Sequence, residues 1–205
     1  MPGRKFILEE AGTPRRPSNN HATRERIEEA LLELIAAGAV PNHDSVAARA
    51  GVSRRTVYRY FPDQPALREA AWRRLSPTGG MPRSLDALLT RLPETFRIFD
   101  ERAAAMMVTM ASPEGRAIRN QKTVERVTAF RAILAQATAD LPEPDRTGAI
   151  AAIQLLASGL AWREMRDQWQ MDGDAIAIAS RWAIETLLAD LRRRGDRPLE
   201  EGAAA

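Results

Sequence analysis

Arg49, Arg54, Arg55 and Arg59 fall within residues 45–62, a stretch of eighteen residues that holds no Asp or Glu. Guanidinium groups unopposed by acid suit phosphate oxygens and base edges, since Arg pairs bidentately with guanine and as a cation with phosphate. Thr56, Tyr58 and Tyr60 interleave hydroxyls with these cations. Asn42 and Gln64 stand where flanking helices would begin, and free backbone amides at helix starts attract anions. The candidate nucleic-acid contacts are therefore Asn42, Arg54, Arg55, Thr56, Tyr58, Arg59, Tyr60 and Gln64. Catalysis has far less to work with. The chain has no Cys, and His21 and His43 are its only histidines. Disulfides, thiolate-bound metals and a multi-His metal site are excluded. No acid cluster has ligand spacing. The expectation is a binding protein, not an enzyme, with no catalytic residue, metal or cofactor.

The apolar residues around the arginines dictate how they are presented. Val46, Ala47 and Ala50 give a short helix a small inner face that another helix can approach closely. Gly51 permits a sharp turn, Val52 plugs it, and Ser53 caps the next helix. Val57 and Phe61, four apart, anchor that second helix and leave its polar residues outward. This is the design of a helix-turn-helix, whose second helix lies in the DNA major groove. Upstream, Ile27, Ala30, Leu31, Leu34 and Ile35 form one buried stripe, ended by Gly38. Short helices are predicted over 44–50, 54–60 and 65–75, with Asn42 or Asp44, Ser53 and Asp63 as caps and Pro65 in a first turn. His43 reads as a partly packed side chain.

These residues resemble a known family. Ala47–Leu67, AARAGVSRRTVYRYFPDQPAL, is similar to the DNA-binding signature of the TetR family of bacterial transcriptional regulators. Val46, Ala47, Ala50 to Ser53, Thr56, Val57, Tyr58, Phe61 and Leu67 carry the match, which covers the first four helices, about a quarter of the chain. Residues 158–188 resemble the C-terminal helices of some members more loosely. Three positions depart from the pattern: Gln64 stands where lysine is usual, Asn42 where threonine is usual, and His43 where an aliphatic residue is usual. Gln64 can still hydrogen-bond, but adds nothing to the salt-dependent part of binding. The resemblance implies a double-stranded DNA operator as partner and a twofold dimer joined by a four-helix bundle. It also implies an effector-binding body.

Across all 205 residues the net charge is only +3, but it is unevenly spread. Residues 1–76 hold 13 basic and 9 acidic residues, and 77–205 hold 17 and 18. Arg4, Lys5, Arg15 and Arg16 mark residues 1–21 as a disordered basic arm, able to reach DNA or simply unstructured. The head is expected over 22–76, a linker over 77–82, a helical body over 83–195 and a disordered tail over 196–205. The fold class is all-α: a three-helix helix-turn-helix head on a larger helical domain for ligand binding and dimerisation. Body helices are predicted over 85–100, 103–110, 113–139, 145–169 and 173–194, with Pro93 bending or splitting the first.

Phe96, Phe99, Met106, Met107, Met110, Trp162 and Met165 are the candidate pocket residues, adaptable enough to line a permissive apolar site. At helical spacing such residues are more often plain core. Arg97, Arg102 and Arg119 can pair with an anion or face solvent. The last helix carries apolar residues on more than one face, so Ile153, Ala157, Leu160, Trp182 and Leu187 are candidates for a homodimer interface. The longest apolar stretch, 149–162, is too short to span a bilayer and contains Gln154. No signal peptide is recognisable in the first twelve residues. A cytoplasmic protein without membrane contact is expected. The reading is a regulator, most simply a repressor released from a palindromic operator by a small apolar or aromatic effector. An α-helical small-molecule carrier and a DNA-binding regulator without effector stay open.

Overall fold

The computed structural model describes residues 19–77 and 79–201, and every regular element among them is helical. The N-terminal part comprises α1 (Asn19–Ala36), α2 (His43–Ala50), α3 (Arg54–Tyr60) and α4 (Gln64–Leu75). The body comprises α5 (Leu85–Glu101), α6 (Ala103–Ala111), α7 (Pro113–Asn120) and α8 (Thr123–Leu134), then α9 (Asp145–Leu156), α10 (Gly159–Trp169) and α11 (Gly173–Arg194). Local chemistry starts most of them: Asn42, Ser53, Asp63, Ser84, Ser112, Ser158 and Asp172 each accept from a backbone amide in the first turn that follows.

α1 buries the predicted stripe, Ile27 to Ile35, and packs on α2, α4 and α6. α6 in turn lies on α7 and α10, so the buried residues of the first four helices and of the body form one continuous core. The approach of α7 to α6 requires Gly115, where a Cβ would collide with the Thr109 backbone. α11 runs along α5 and buries Ile176, Ala177, Ser180, Ile184, Leu188 and Leu191 on that side. Among the described residues no helix is long and apolar enough to cross a membrane.

Five expectations need correction. α1 begins at Asn19, so 19–21 belong to the helix, and His21 pairs with Glu25 at 3.2 Å. The proposed arm, with Arg4, Lys5, Arg15 and Arg16, otherwise lies outside the described residues. Pro93 does not split α5, because the buried stripe Leu88, Leu92, Phe96 and Phe99 holds both halves on one core. The single helix expected over 113–139 breaks at Gln121–Lys122. There the Gln121 amide donates to the Pro65 carbonyl at 3.3 Å and Lys122 pairs with Glu69 at 3.3 Å, both on α4. The helix expected over 145–169 ends at Leu156 and restarts at Gly159, with Ser158 capping the second part. Residues 196–201 are held rather than loose: Leu199 N–H donates to Asp145 at 2.9 Å, and the buried Arg194 donates to the carbonyls of Pro198 and Glu201. Residues 202–205 lie outside the described chain.

Candidate functional site

The turn between α2 and α3 follows from its residues. Asn42 accepts from the amides of Asp44 and Ser45 at 3.0 and 2.9 Å, while its own N–H donates to the Ser45 hydroxyl at 3.0 Å. This reciprocal box fixes the start of α2. Val46, Ala47 and Ala50 are buried beneath it, and Gly51 closes the helix in the left-handed conformation at φ 62°. Ser53 then accepts from the Thr56 amide at 3.1 Å, and its hydroxyl meets that of Thr56 at 2.8 Å. Val57 and Phe61 are buried, which turns Arg54, Arg55, Tyr58 and Arg59 to the outside.

The outward face has an internal order. His43 is buried; its Nε2–H donates to the Phe61 carbonyl at 2.8 Å, and its ring stacks on Tyr58 at 3.9 Å. Arg54 lies over the Tyr58 ring, donates to its hydroxyl at 3.3 Å and pairs with Asp44 at 3.1 Å. The Tyr58 hydrogen bond, aided by Asp44, raises the Arg54 pKa further above its ordinary value. Among the described residues nothing pairs with Arg55. Arg59 covers the Tyr60 ring, and the half-buried Tyr60 donates to the Asn20 carbonyl at 3.2 Å, tying α3 to the start of α1. The Gln64 amide donates to the Pro41 carbonyl at 2.8 Å and keeps a second N–H. All eight predicted contacts thus lie on α3 or at the starts of α2 and α4. Within the protein, Asn42, Tyr60 and Gln64 also hold the helices in place. The exposed, cation-rich α3 has the chemistry to meet phosphate and base edges.

A cavity of about 510 Å³ lies in the body, walled by the C-terminal half of α4, the loop after it, and parts of α5 to α10. Phe99, Met106 and Met110 line it as expected. Phe96, Met107, Trp162 and Met165 do not. Phe96 and Trp162 are fully buried in the core, and the Trp162 indole N–H donates to Asp100 at 2.9 Å. The same carboxylate accepts from Arg166 at 2.7 Å and from the Gly173 amide at 2.6 Å, joining α5, α10 and α11. Met107 and Met165 pack partly buried against that core. Sequence reasoning missed Trp72 and Arg126 as wall residues; both sit on helices whose pattern gives no sign of a ligand. Of the three arginines weighed for an anion, Arg97 approaches Asp174 at 3.9 Å and Arg102 donates to the Arg74 carbonyl. Only Arg119 reaches the cavity.

The interface candidates divide as well. Trp182 (69% exposed) is open on α11 one turn from Ile178 (73%), whereas Leu187 (36%) lies across the helix from Ile178, at the edge of the buried side. Ile153 is fully buried in its own core and is unavailable to a partner, a correction that follows from the inward side of α9 facing α11. Ala157 is half-buried, Leu160 is exposed, and both border the cavity.

Residues 42–71 match the family model described as "Bacterial regulatory proteins, tetR family", which covers α2, α3 and most of α4. No curated protein matches the chain. Among solved structures, NalD, the secondary repressor of the MexAB-OprM multidrug efflux pump in Pseudomonas aeruginosa, aligns at 21% identity over 88% of this chain and 98% of its own, with a TM-score of 0.60. A native NalD structure gives 22% identity over the same shares and a TM-score of 0.56. A TetR transcriptional regulator from Rhodococcus sp. RHA1 aligns at 27% identity over 83% of this chain and 98% of its own, with a TM-score of 0.48. The NalD likeness establishes the fold, and the family match falls on the helix-turn-helix built above. Residues 42–71 are thus similar to the helix-turn-helix segment of the tetR family of bacterial regulatory proteins, on a chain that shares the NalD fold.

Proposed function

We propose that the protein is a ligand-responsive repressor that binds a palindromic operator as a homodimer in the bacterial cytoplasm and leaves it when a small molecule fills the body cavity. The observation that carries this reading is the make-up of the cavity wall. Trp72, Arg73 and Leu75 of α4 line it, as do Ser76, Pro77, Gly80, Met81 and Pro82. The same helix meets the helix-turn-helix at its other end, through Gln64 and Pro41. An occupant therefore presses on the element that positions α3. It shifts the protein off DNA only if it binds the two arrangements with different affinity. On the DNA side, Arg54 and Arg55 read base edges, while Arg59, Thr56, Tyr58 and the remaining Gln64 N–H meet phosphates.

A second copy is proposed to cover the exposed face of α11 that carries Ile178 and Trp182. Pairing places two α3 helices about one DNA turn apart, ~34 Å, which is what a palindrome requires. The test is a screen of apolar and aromatic compounds against the protein on fluorescent operator DNA. Compounds that raise the melting temperature are expected to lower DNA affinity. Cavity ligands that stabilise the protein and leave DNA affinity unchanged would contradict release by ligand.

A further inference from the structure

The wall of the cavity is mainly apolar, yet Arg73, Arg91, Arg119, Lys122 and Arg126 all border it, against Glu69 and Glu125. Both acids are spoken for: Lys122 meets Glu69 at 3.3 Å and Glu125 at 3.1 Å. Arg73 reaches Glu28 outside the cavity at 3.9 Å, and Arg91 donates to the Gly80 carbonyl at 3.1 Å. Arg119 and Arg126 differ. Among the described residues neither has an acidic partner. Arg119 donates to the Thr109 carbonyl; Arg126 donates to the Thr123 hydroxyl at 3.3 Å and lies over the Trp72 ring at 5.9 Å. Both are half-buried. Burial lowers the pKa of each, and for Arg119 the nearby charges of Arg116, Arg126 and Arg163 lower it further. Two like charges held partly out of water with neutral partners are costly, and an anion beside them relieves both desolvation and repulsion.

We infer that the cavity takes an amphipathic organic anion, with a carboxylate held between Arg119 and Arg126 and an aromatic or apolar body against Leu92, Phe99, Met106 and Phe130. This narrows the effector class and rests on the reading of the cavity as an effector site. A guanidinium pair favours a carboxylate through charge-assisted, bidentate hydrogen bonds that an alcohol cannot match.

The probes are naphthoate and naphthylmethanol, which share an aromatic body and differ in the charged group. Each is titrated by calorimetry into the full-length protein, alongside R119Q, R126Q and R126K. Naphthoate is expected to bind at least about tenfold tighter than the alcohol. That preference should collapse in R126Q and R119Q and partly survive in R126K. Melting curves report whether each variant folds. Should R119Q unfold, R126Q carries the test, because its guanidinium meets only a hydroxyl and a ring face. Equal affinity for the two probes, or a preference that R126Q leaves intact, overturns the inference. Operator release separates the two readings: an alcohol that binds as well as the acid and frees DNA removes the anion and keeps the effector site. Binding of neither probe removes the site itself.

Discussion

Arg55 and Tyr60 lie on the same short helix and do different work. Arg55 is exposed with no protein partner among the described residues, so its removal should cost the fold almost nothing. Its role is proposed to lie on the DNA side. Arg55→Ala should therefore lose about 1–3 kcal/mol of operator affinity and relax preference at one base, with an unchanged melting temperature. Equal weakening on every DNA sequence would make it a phosphate contact. Tyr60→Phe should show the opposite split, because the hydroxyl donates to the Asn20 carbonyl. A stability loss of about 0.5–1 kcal/mol in urea, with little change in sequence preference, is the expected outcome. The helix caps were legible beforehand, since Asn42, Ser53 and Asp63 act on amides two or three residues away. The partners of His43 and Tyr60 were not: they lie 18 and 40 residues off, where no local pattern points.

At the scale of elements, the helix-turn-helix could be read because each of its devices is local: small inner face, glycine turn, cap and anchors spaced by four. The body helices were merged because their breaks are decided from outside. Gln121 and Lys122 break a run of helix-compatible residues by engaging α4. Ser158-Gly159, by contrast, is a local break, since Ser158 caps α10 from within the sequence itself. α4 is also tied to α7 by Arg68, which forks onto Glu114 at 2.8 and 3.0 Å. Both side chains are partly screened by their surroundings, so the pair should matter more than an open surface bridge. A double-mutant cycle of Arg68→Ala and Glu114→Ala in urea should return a coupling of about 1 kcal/mol or more. A coupling near zero would make the contact incidental and remove it as a route from body to head.

The molecule as a whole is organised by contacts remote in sequence, which is why its cavity was only half anticipated. Residue type suggested Phe96 and Trp162 as lining, but Phe96 sits in the core and Trp162 is claimed by both core and Asp100. Arg126 and Trp72 reach the wall from helices that read as ordinary. The exposed face of α11 belongs to this scale too. Trp182→Asp should convert the proposed homodimer to a monomer in analytical ultracentrifugation and reduce affinity for a palindrome far more than for a half-site. An unchanged sedimentation coefficient would place any interface elsewhere. The central claim, that α3 and its arginines bind DNA, is tested most directly by fluorescence anisotropy of the full-length protein with the DNA flanking its own gene, across a series of salt concentrations. The account predicts saturable binding at low salt, with log affinity falling linearly against log salt as phosphate-bound counterions are released. No complex even at the lowest salt would contradict it.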